Sequence, residues 1–199
     1  MLFLINFTLT KTINVMNVIN QETMMSAKDF MLLPEGPPYF QLLNGKCTMS
    51  PSPFFIHQRI ASDLLVEMSI HVKKQKLGIV LAAPMDVLFD EYTVLQPDIL
   101  FISNQNRGII KDEQRIIGSP DLVVEILSKN KVRDLTEKKY IYETCGVKEY
   151  WLIDSSKKTI EVLENQDMEF VQISFAKHTG TVFSKVLEGF SLDLTSILY

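Results

Sequence analysis

Gly118-Ser119-Pro120-Asp121-Leu122-Val123-Val124-Glu125-Ile126-Leu127-Ser128 is the stretch on which the fold turns. Its centre is almost continuously apolar and β-branched, the pattern of a strand covered on both faces. One carboxylate, Glu125, interrupts that pattern. A buried carboxylate costs on the order of several kcal/mol unless it is paired, protonated or bound to a metal. The strand therefore announces a compensating group as well as a sheet.

The preceding apolar run, Gln96-Pro97-Asp98-Ile99-Leu100-Phe101, carries Asp98 near its start. Paired strands lie about 4.8 Å apart, so carboxylates on neighbouring strands are close enough to share one cation. All-oxygen ligation favours magnesium or manganese over zinc, and such an ion polarises a phosphodiester and lowers the pKa of an attacking water. Asp86, in Ala83-Pro84-Met85-Asp86-Val87, is a third candidate ligand from an adjacent strand; a solvated aspartate beside a turn accounts for it equally well. Asp121 is excluded by distance, because four residues along one strand span about 13 Å. It reads instead as the residue that opens the strand.

Further out, Ser26 caps a short amphipathic helix over 27–33 that stops at Pro34. Two β-like runs, 39–43 and 46–49, flank Asn44-Gly45, whose positive φ angles suit a two-residue hairpin. From 55 to about 75, Ile56, Ile60, Leu64, Met68 and Val72 recur every four residues, which predicts a long helix. Strands are expected at 78–83, 85–89, 97–103 and 120–128, a helix at 132–145 stopped by Gly146, and strands at 149–154 and 159–163 joined by Ser155-Ser156-Lys157-Lys158. Residues 169–183 read as further strand and 192–198 as a short helix. The order suits an α/β fold, a mixed β-sheet flanked by helices.

Length and composition place all of this in one domain over 26–199, with 1–25 as a flexible N-terminal extension. The net charge of −4 and pI of about 5.4 give no global attraction to polyanions, so any nucleic-acid contact must be local. Cys47 and Cys145 match no zinc spacing, and the apolar start of the chain lacks the basic residues of a signal peptide. A cytoplasmic setting without membrane contact follows as the expectation.

Several motifs together resemble one family. Leu43-Asn44-Gly45-Lys46, Met49-Ser50-Pro51, His57-Gln58, Ala83-Pro84-Met85-Asp86-Val87, Gln96-Pro97-Asp98, the 118–128 stretch and Gly146-Val147-Lys148-Glu149-Tyr150-Trp151-Leu152-Ile153-Asp154 are similar to the bacterial Uma-two restriction endonucleases. These stand within the PD-(D/E)XK nuclease superfamily. The resemblance implies a restriction-endonuclease-like fold and magnesium-dependent cleavage of nucleic acid, DNA foremost. It also implies a catalytic lysine two residues after the second acid, where this chain has Leu127.

The lysine must then come from elsewhere. Arg133, Asp134, Glu137 and Lys138 match the family's helix pattern, and Leu135, Lys138, Tyr142 and Cys145 form one helical stripe. Lys138 is the resulting candidate, with Lys139 farther from the stripe. The expected site is thus Asp98, Glu125 and Lys138 for catalysis and Asp98, Glu125 and Asp86 for the metal, magnesium or manganese. Lys129, Lys131 and Arg133 are candidate phosphate contacts, although a solvated helix face explains most such clusters. His57 reads as a polar neighbour outside the metal shell, Glu67 as solvated and Trp151 as core. The alternative function is a catalytically inactive nucleic-acid-binding or oligomerising domain of the same fold, and a homodimer is compatible with either.

Overall fold

The structure is a computed structural model that describes residues 24–34, 36–50, 52–111, 115–127 and 132–199, without the side chains of 132–135. Almost all of the 1–25 extension thus lies outside the described residues, as do Lys129 and Lys131 and the side chain of Arg133. The chain forms two compact units, one of residues 1–51 and 88–95, the other of 52–87 and 96–199.

In the first unit, Ser26 caps helix α1 (Ala27–Phe30) by accepting the Asp29 amide at 3.2 Å. The helix is shorter than the expected 27–33. Strands β1 (Phe40–Leu43) and β2 (Lys46–Met49) form the anticipated hairpin, with Asn44 at φ 48° and Gly45 at φ 78° supplying the turn. Leu42, buried in β1, pairs with Val94 and shares a small core with Met25, Phe30 and Cys47.

The second unit is organised by helix α2 (Phe55–Gln75) and a mixed sheet. The every-four periodicity translates directly into packing: Ile60, Leu64, Met68 and Val72 are buried. Strands β3 (Gly78–Ala82), β6 (Ile99–Ser103), β9 (Leu122–Leu127), β10 (Glu149–Asp154), β11 (Thr159–Gln166) and β12 (Glu169–Lys177) lie in the order β12-β11-β10-β9-β6-β3. Between β3 and β6, Gly78 is required by close approach, since a Cβ there would meet the Ile102 carbonyl oxygen at 2.1 Å. The β9/β10 pair is parallel and joined by helix α3 (Val132–Thr144), while the other neighbours run antiparallel.

Alternation sorts β9 between two faces. Val124 and Ile126 enter a core with Trp151, Ile153, Leu64 and Met68, which confirms Trp151 as a packing residue. Glu125 turns to the opposite face, towards Lys138 and Tyr142 of α3. The site exists because one face of this strand is given to helix α2 and the other to helix α3.

Three features differ from the sequence-based expectation. The 85–89 and 97–103 segments narrow to β4 (Val87–Asp90) and β6, with a short β5 (Thr93–Leu95) between them. A 3-10 turn (Asn104–Ile109) and the small strands β7 (Ile110–Lys111) and β8 (Arg115–Ile117) fill a segment expected to be loop. The 192–198 helix is instead β14 (Ser191–Asp193), paired with β13 (Thr181–Phe183), followed by a 3-10 turn over Leu194–Ser196. The pairing of β14 with a segment ten residues upstream outweighs a weak local helical pattern, because a three-residue strand draws its support from its partner. No described helix is long and apolar enough to cross a membrane.

Candidate active site

Strands β6 and β9 pair with Ile99 opposite Val124 and Leu100 opposite Val123. Continuing that register by one residue places Asp98 opposite Glu125, the neighbouring-strand arrangement that the sequence predicts. Asp98 is held by two groups on one oxygen. The Ile126 amide donates to Oδ2 at 2.7 Å, and His57 Nε2, from the first turn of α2, donates to the same atom at 3.0 Å. His57 is therefore not merely a polar neighbour: it orients the aspartate.

Glu125 is 5% exposed and meets two side chains of α3. Lys138 Nζ donates to Oε1 at 2.8 Å and to Oε2 at 3.0 Å, while the Tyr142 hydroxyl donates to Oε1 at 2.6 Å. Lys138 itself is buried, so this is an ion pair removed from water. Burial pushes the Glu125 carboxyl above its ordinary range and the negative charge of Asp98 adds to the rise; the Lys138 ammonium and the hydrogen bonds from Lys138 and Tyr142 oppose it. The Tyr142 and Tyr150 hydroxyls are driven well above the ordinary tyrosine value by burial, then by the charge of Glu125. Both hydroxyls are thereby held in the neutral form, and that of Tyr142 donates to Glu125.

Lys138 thus reaches Glu125 from the following helix, while the position two residues after Glu125 is Leu127. Helix α3 begins a few residues beyond β9, and the stripe containing Lys138 and Tyr142 faces back onto Glu125. Lys139, one position on, is only half-buried. Glu67 is exposed, as expected.

Asp86 is placed apart from this pair in its bonding. It is half-buried just before β4 and accepts from Gln96 Nε2 at 2.7 Å, and burial raises its pKa against the effect of that bond. Among the described residues, no three His, Cys, Asp or Glu side chains converge as a metal-holding group. The carboxylates brought together are Asp98 and Glu125.

Asp121 plays the structural part assigned to it. It is 1% exposed, accepts the Ser103 amide at 2.7 Å and Lys148 Nζ at 2.6 Å, and its own carbonyl accepts the amides of Lys148 and Glu149. It thereby ties together the ends of β6, β9 and β10. Burial tends to raise its pKa, but the Lys148 bond and the amide of Ser103 outweigh burial and hold the carboxyl below the ordinary range. A depressed folded-state pKa contributes stability that is present above the unfolded value and lost as the pH falls through the folded one. Asp121→Asn is expected to cost roughly 1–3 kcal/mol at neutral pH. In urea titrations the gap from wild type should narrow as the pH drops below the ordinary carboxylate range. A gap that stays constant with pH would contradict this role.

Two residues of the site escaped the sequence reading in part. Tyr142 was placed on the correct stripe without a role, and its signal was its four-residue spacing from Lys138. His57 carried no spacing signal, because its partner Asp98 lies forty-one residues away.

The comparisons with known proteins agree with this architecture. No curated protein matches the chain. A solved structure described as a "putative nuclease belonging to DUF820 from Anabaena variabilis ATCC 29413" aligns with a TM-score of 0.70 at 22% identity, covering 87% of this chain and 97% of that one. The fold is thus a restriction-endonuclease-like mixed sheet flanked by helices. The model of the Uma2 family, whose description reads "Putative restriction endonuclease", matches residues 27–195. With residues 27–195 matched, most of its length, the chain belongs to the Uma2 family.

Proposed function

We propose that the protein is a nuclease that uses magnesium, or manganese, to hydrolyse phosphodiester bonds of nucleic acid, DNA foremost. The observation that carries the reading is the buried Lys138 ammonium, 2.8 Å from a Glu125 carboxylate that faces Asp98 across two paired strands. The family description and the fold of the Anabaena protein point the same way.

The residues fit such an ion. Magnesium is typically bound through one or two carboxylates and keeps several waters, which suits a pair of acids better than a closed protein cage. Burial, and after it the negative charge of Asp98, disfavours the ionised form of Glu125, and a cation beside the two acids would offset both. Buried polar atoms near the pair also lack partners among the described residues: His57 Nδ1 and the Tyr150 hydroxyl. Asp86 is the candidate for a supporting, water-mediated acid.

When bound, the ion would polarise the phosphodiester and lower the pKa of the attacking water. The chain's own groups do the rest. His57 and the Ile126 amide fix the Asp98 carboxylate, and Tyr142 fixes Oε1 of Glu125. Lys138, in a site shielded from solvent, presents fixed positive charge where negative charge develops on the phosphoryl oxygens. Lys129 and Lys131, between β9 and α3, and Arg133, in the first turn of α3, are proposed to contact flanking phosphates.

The test is cleavage of labelled DNA and RNA, single-stranded and duplex, in magnesium and in EDTA. Metal-stimulated cleavage abolished by Asp98→Asn is the expected result. Absence of cleavage on every substrate would return the protein to the alternative, a binding or oligomerising domain.

A further inference from the structure

We propose that Lys76, Arg107, Lys111 and Arg115, at the end of β6 opposite Asp98, form a second nucleic-acid surface that holds backbone phosphates away from the cleaved one. This inference rests on the nuclease reading and adds to it where the rest of the substrate is gripped.

The surface is built where helix α2 ends and β6 runs into the 3-10 turn. Lys76 caps the C-terminus of α2 at φ 56°, and Asn104 Nδ2 donates to its carbonyl oxygen at 2.7 Å. The same side chain accepts Arg107 Nε through Oδ1 at 3.0 Å, so Asn104 joins Lys76 to Arg107. Lys111 Nζ donates to the Gly108 carbonyl, which brings it back to the residue after Arg107. Arg115 stands directly opposite Lys111 in the β7/β8 ladder. All four cations are exposed.

Opposed residues of an antiparallel pair share a face, and like charges placed in this way repel. Among the described residues, no carboxylate lies within ion-pair distance of any of the four. The Nη nitrogens of Arg107 and the guanidinium of Arg115 likewise have no protein partner among those residues. Asp112 and Glu113, between Lys111 and Arg115 in sequence, lie outside them. Even with these two acids counted, residues 73–78 and 104–117 hold six cations against two acids, in a chain of net charge −4. The helix dipole accounts for Lys73 and Lys74 in the last turn of α2. It does not account for Lys111 and Arg115, which stand on strands.

Cations spread over a helix end, a turn and a hairpin match a chain of phosphates better than one small anion. An arginine fork grips such a phosphate with paired donors. Position favours nucleic acid as the polyanion. Asn104 follows Asp98 by six residues along β6, about 20 Å at roughly 3.3 Å each. A duplex rises about 3.4 Å per base pair, so about six base pairs span that distance. The field of the whole molecule does not attract a polyanion, and a local cluster supplies what it lacks: each neutralised phosphate releases its counterions.

The experiment measures the salt dependence of binding to a labelled duplex of about 20 base pairs, by fluorescence anisotropy in EDTA. Lys76→Gln/Arg107→Gln/Lys111→Gln/Arg115→Gln is expected to bind at least about tenfold more weakly in about 0.1 M salt. Its slope of log affinity against log salt should be shallower by about 2–4. Lys111→Gln/Arg115→Gln should lose about 1–2 of slope and melt no lower than the wild type, since it removes two opposed charges. Lys28→Gln/Lys46→Gln/Lys158→Gln/Lys177→Gln makes the same change of net charge at exposed lysines elsewhere and should keep the wild-type slope within about 1.

Wild-type affinity and slope in the first variant would overturn the surface. An equal loss in the variant of the other four lysines would do the same, by making net charge the cause. So would a loss of binding to phosphatidylserine vesicles with duplex binding intact, which would give these cations to a membrane. Should the wild type bind as stated and cut no substrate, the nuclease reading falls and the surface stands as that of a binding domain. Should it cut while all variants bind alike, only the surface falls; should it bind no nucleic acid, both fall.

Discussion

Lys138→Met is expected to reduce cleavage by about a hundredfold or more while the protein stays folded in the presence of magnesium. The magnitude is that of removing one fixed charge from a shielded site where negative charge develops. Lys138 is also the cation that neutralises Glu125, so the substitution has a second effect, on stability. Breaking a buried pair by removing one partner typically costs about 3–5 kcal/mol, because the remaining charge is left without compensation. Glu125 already has a raised pKa, and loss of the ammonium raises it further. The destabilisation should therefore be largest at high pH and shrink as the pH falls, since a group with a raised folded-state pKa loses stability as the pH rises through that value. Adding Glu125→Gln to Lys138→Met removes the orphaned charge and should restore most of the stability without restoring cleavage. Recovery of activity in the double variant, or full activity in the single one, would remove Lys138 from the chemistry.

Glu149→Ala is expected to lower the unfolding free energy by roughly 3–5 kcal/mol without touching the proposed site. Glu149 is 0% exposed at the start of β10. Its Oε1 accepts from Trp151 Nε1 and Ser184 Oγ, each at 2.6 Å, and its Oε2 accepts the amides of Lys185 at 2.6 Å and Val186 at 3.0 Å. Four donors meet one carboxylate, and Ser184 Oγ accepts in turn from the Leu187 amide. Alanine strands the four donors in the interior, each worth about 1–3 kcal/mol when left unsatisfied. Glu149→Gln should fall between wild type and alanine, since its amide group meets donors where a carboxylate oxygen stood. Urea unfolding followed by Trp151 fluorescence gives the free energies, and hydrogen exchange at Lys185 and Val186 should accelerate in both variants. A change under about 0.5 kcal/mol, the scale of ordinary surface substitutions, would contradict this account of Glu149.

The sequence was legible wherever a local pattern and the tertiary structure demand the same thing. Helix α2 runs over Phe55–Gln75 as the four-residue repeat predicts, and Asn44-Gly45 turns its hairpin. Glu125 stood out because an apolar strand had no other reason to hold an acid. Lys138 was found because its helical stripe and its motif agreed. What stayed hidden depends on contacts between distant segments. Nothing near Glu149 tells a buried, fully bonded carboxylate from a solvated one at a strand end. Strand β14 forms from Ser191-Leu192-Asp193, which has little strand character alone and is held by pairing with β13. The role of His57 appears only once helix α2 is laid beside Asp98.

The central claim is that Asp98 and Glu125 form one metal site. It is tested most directly by titrating magnesium into the wild type and into Asp98→Asn/Glu125→Gln, with calorimetry and melting temperature read together. The account predicts saturable binding and a magnesium-dependent rise in melting temperature for the wild type, and neither for the double variant. Equal responses from both proteins, or none from the wild type, would contradict it.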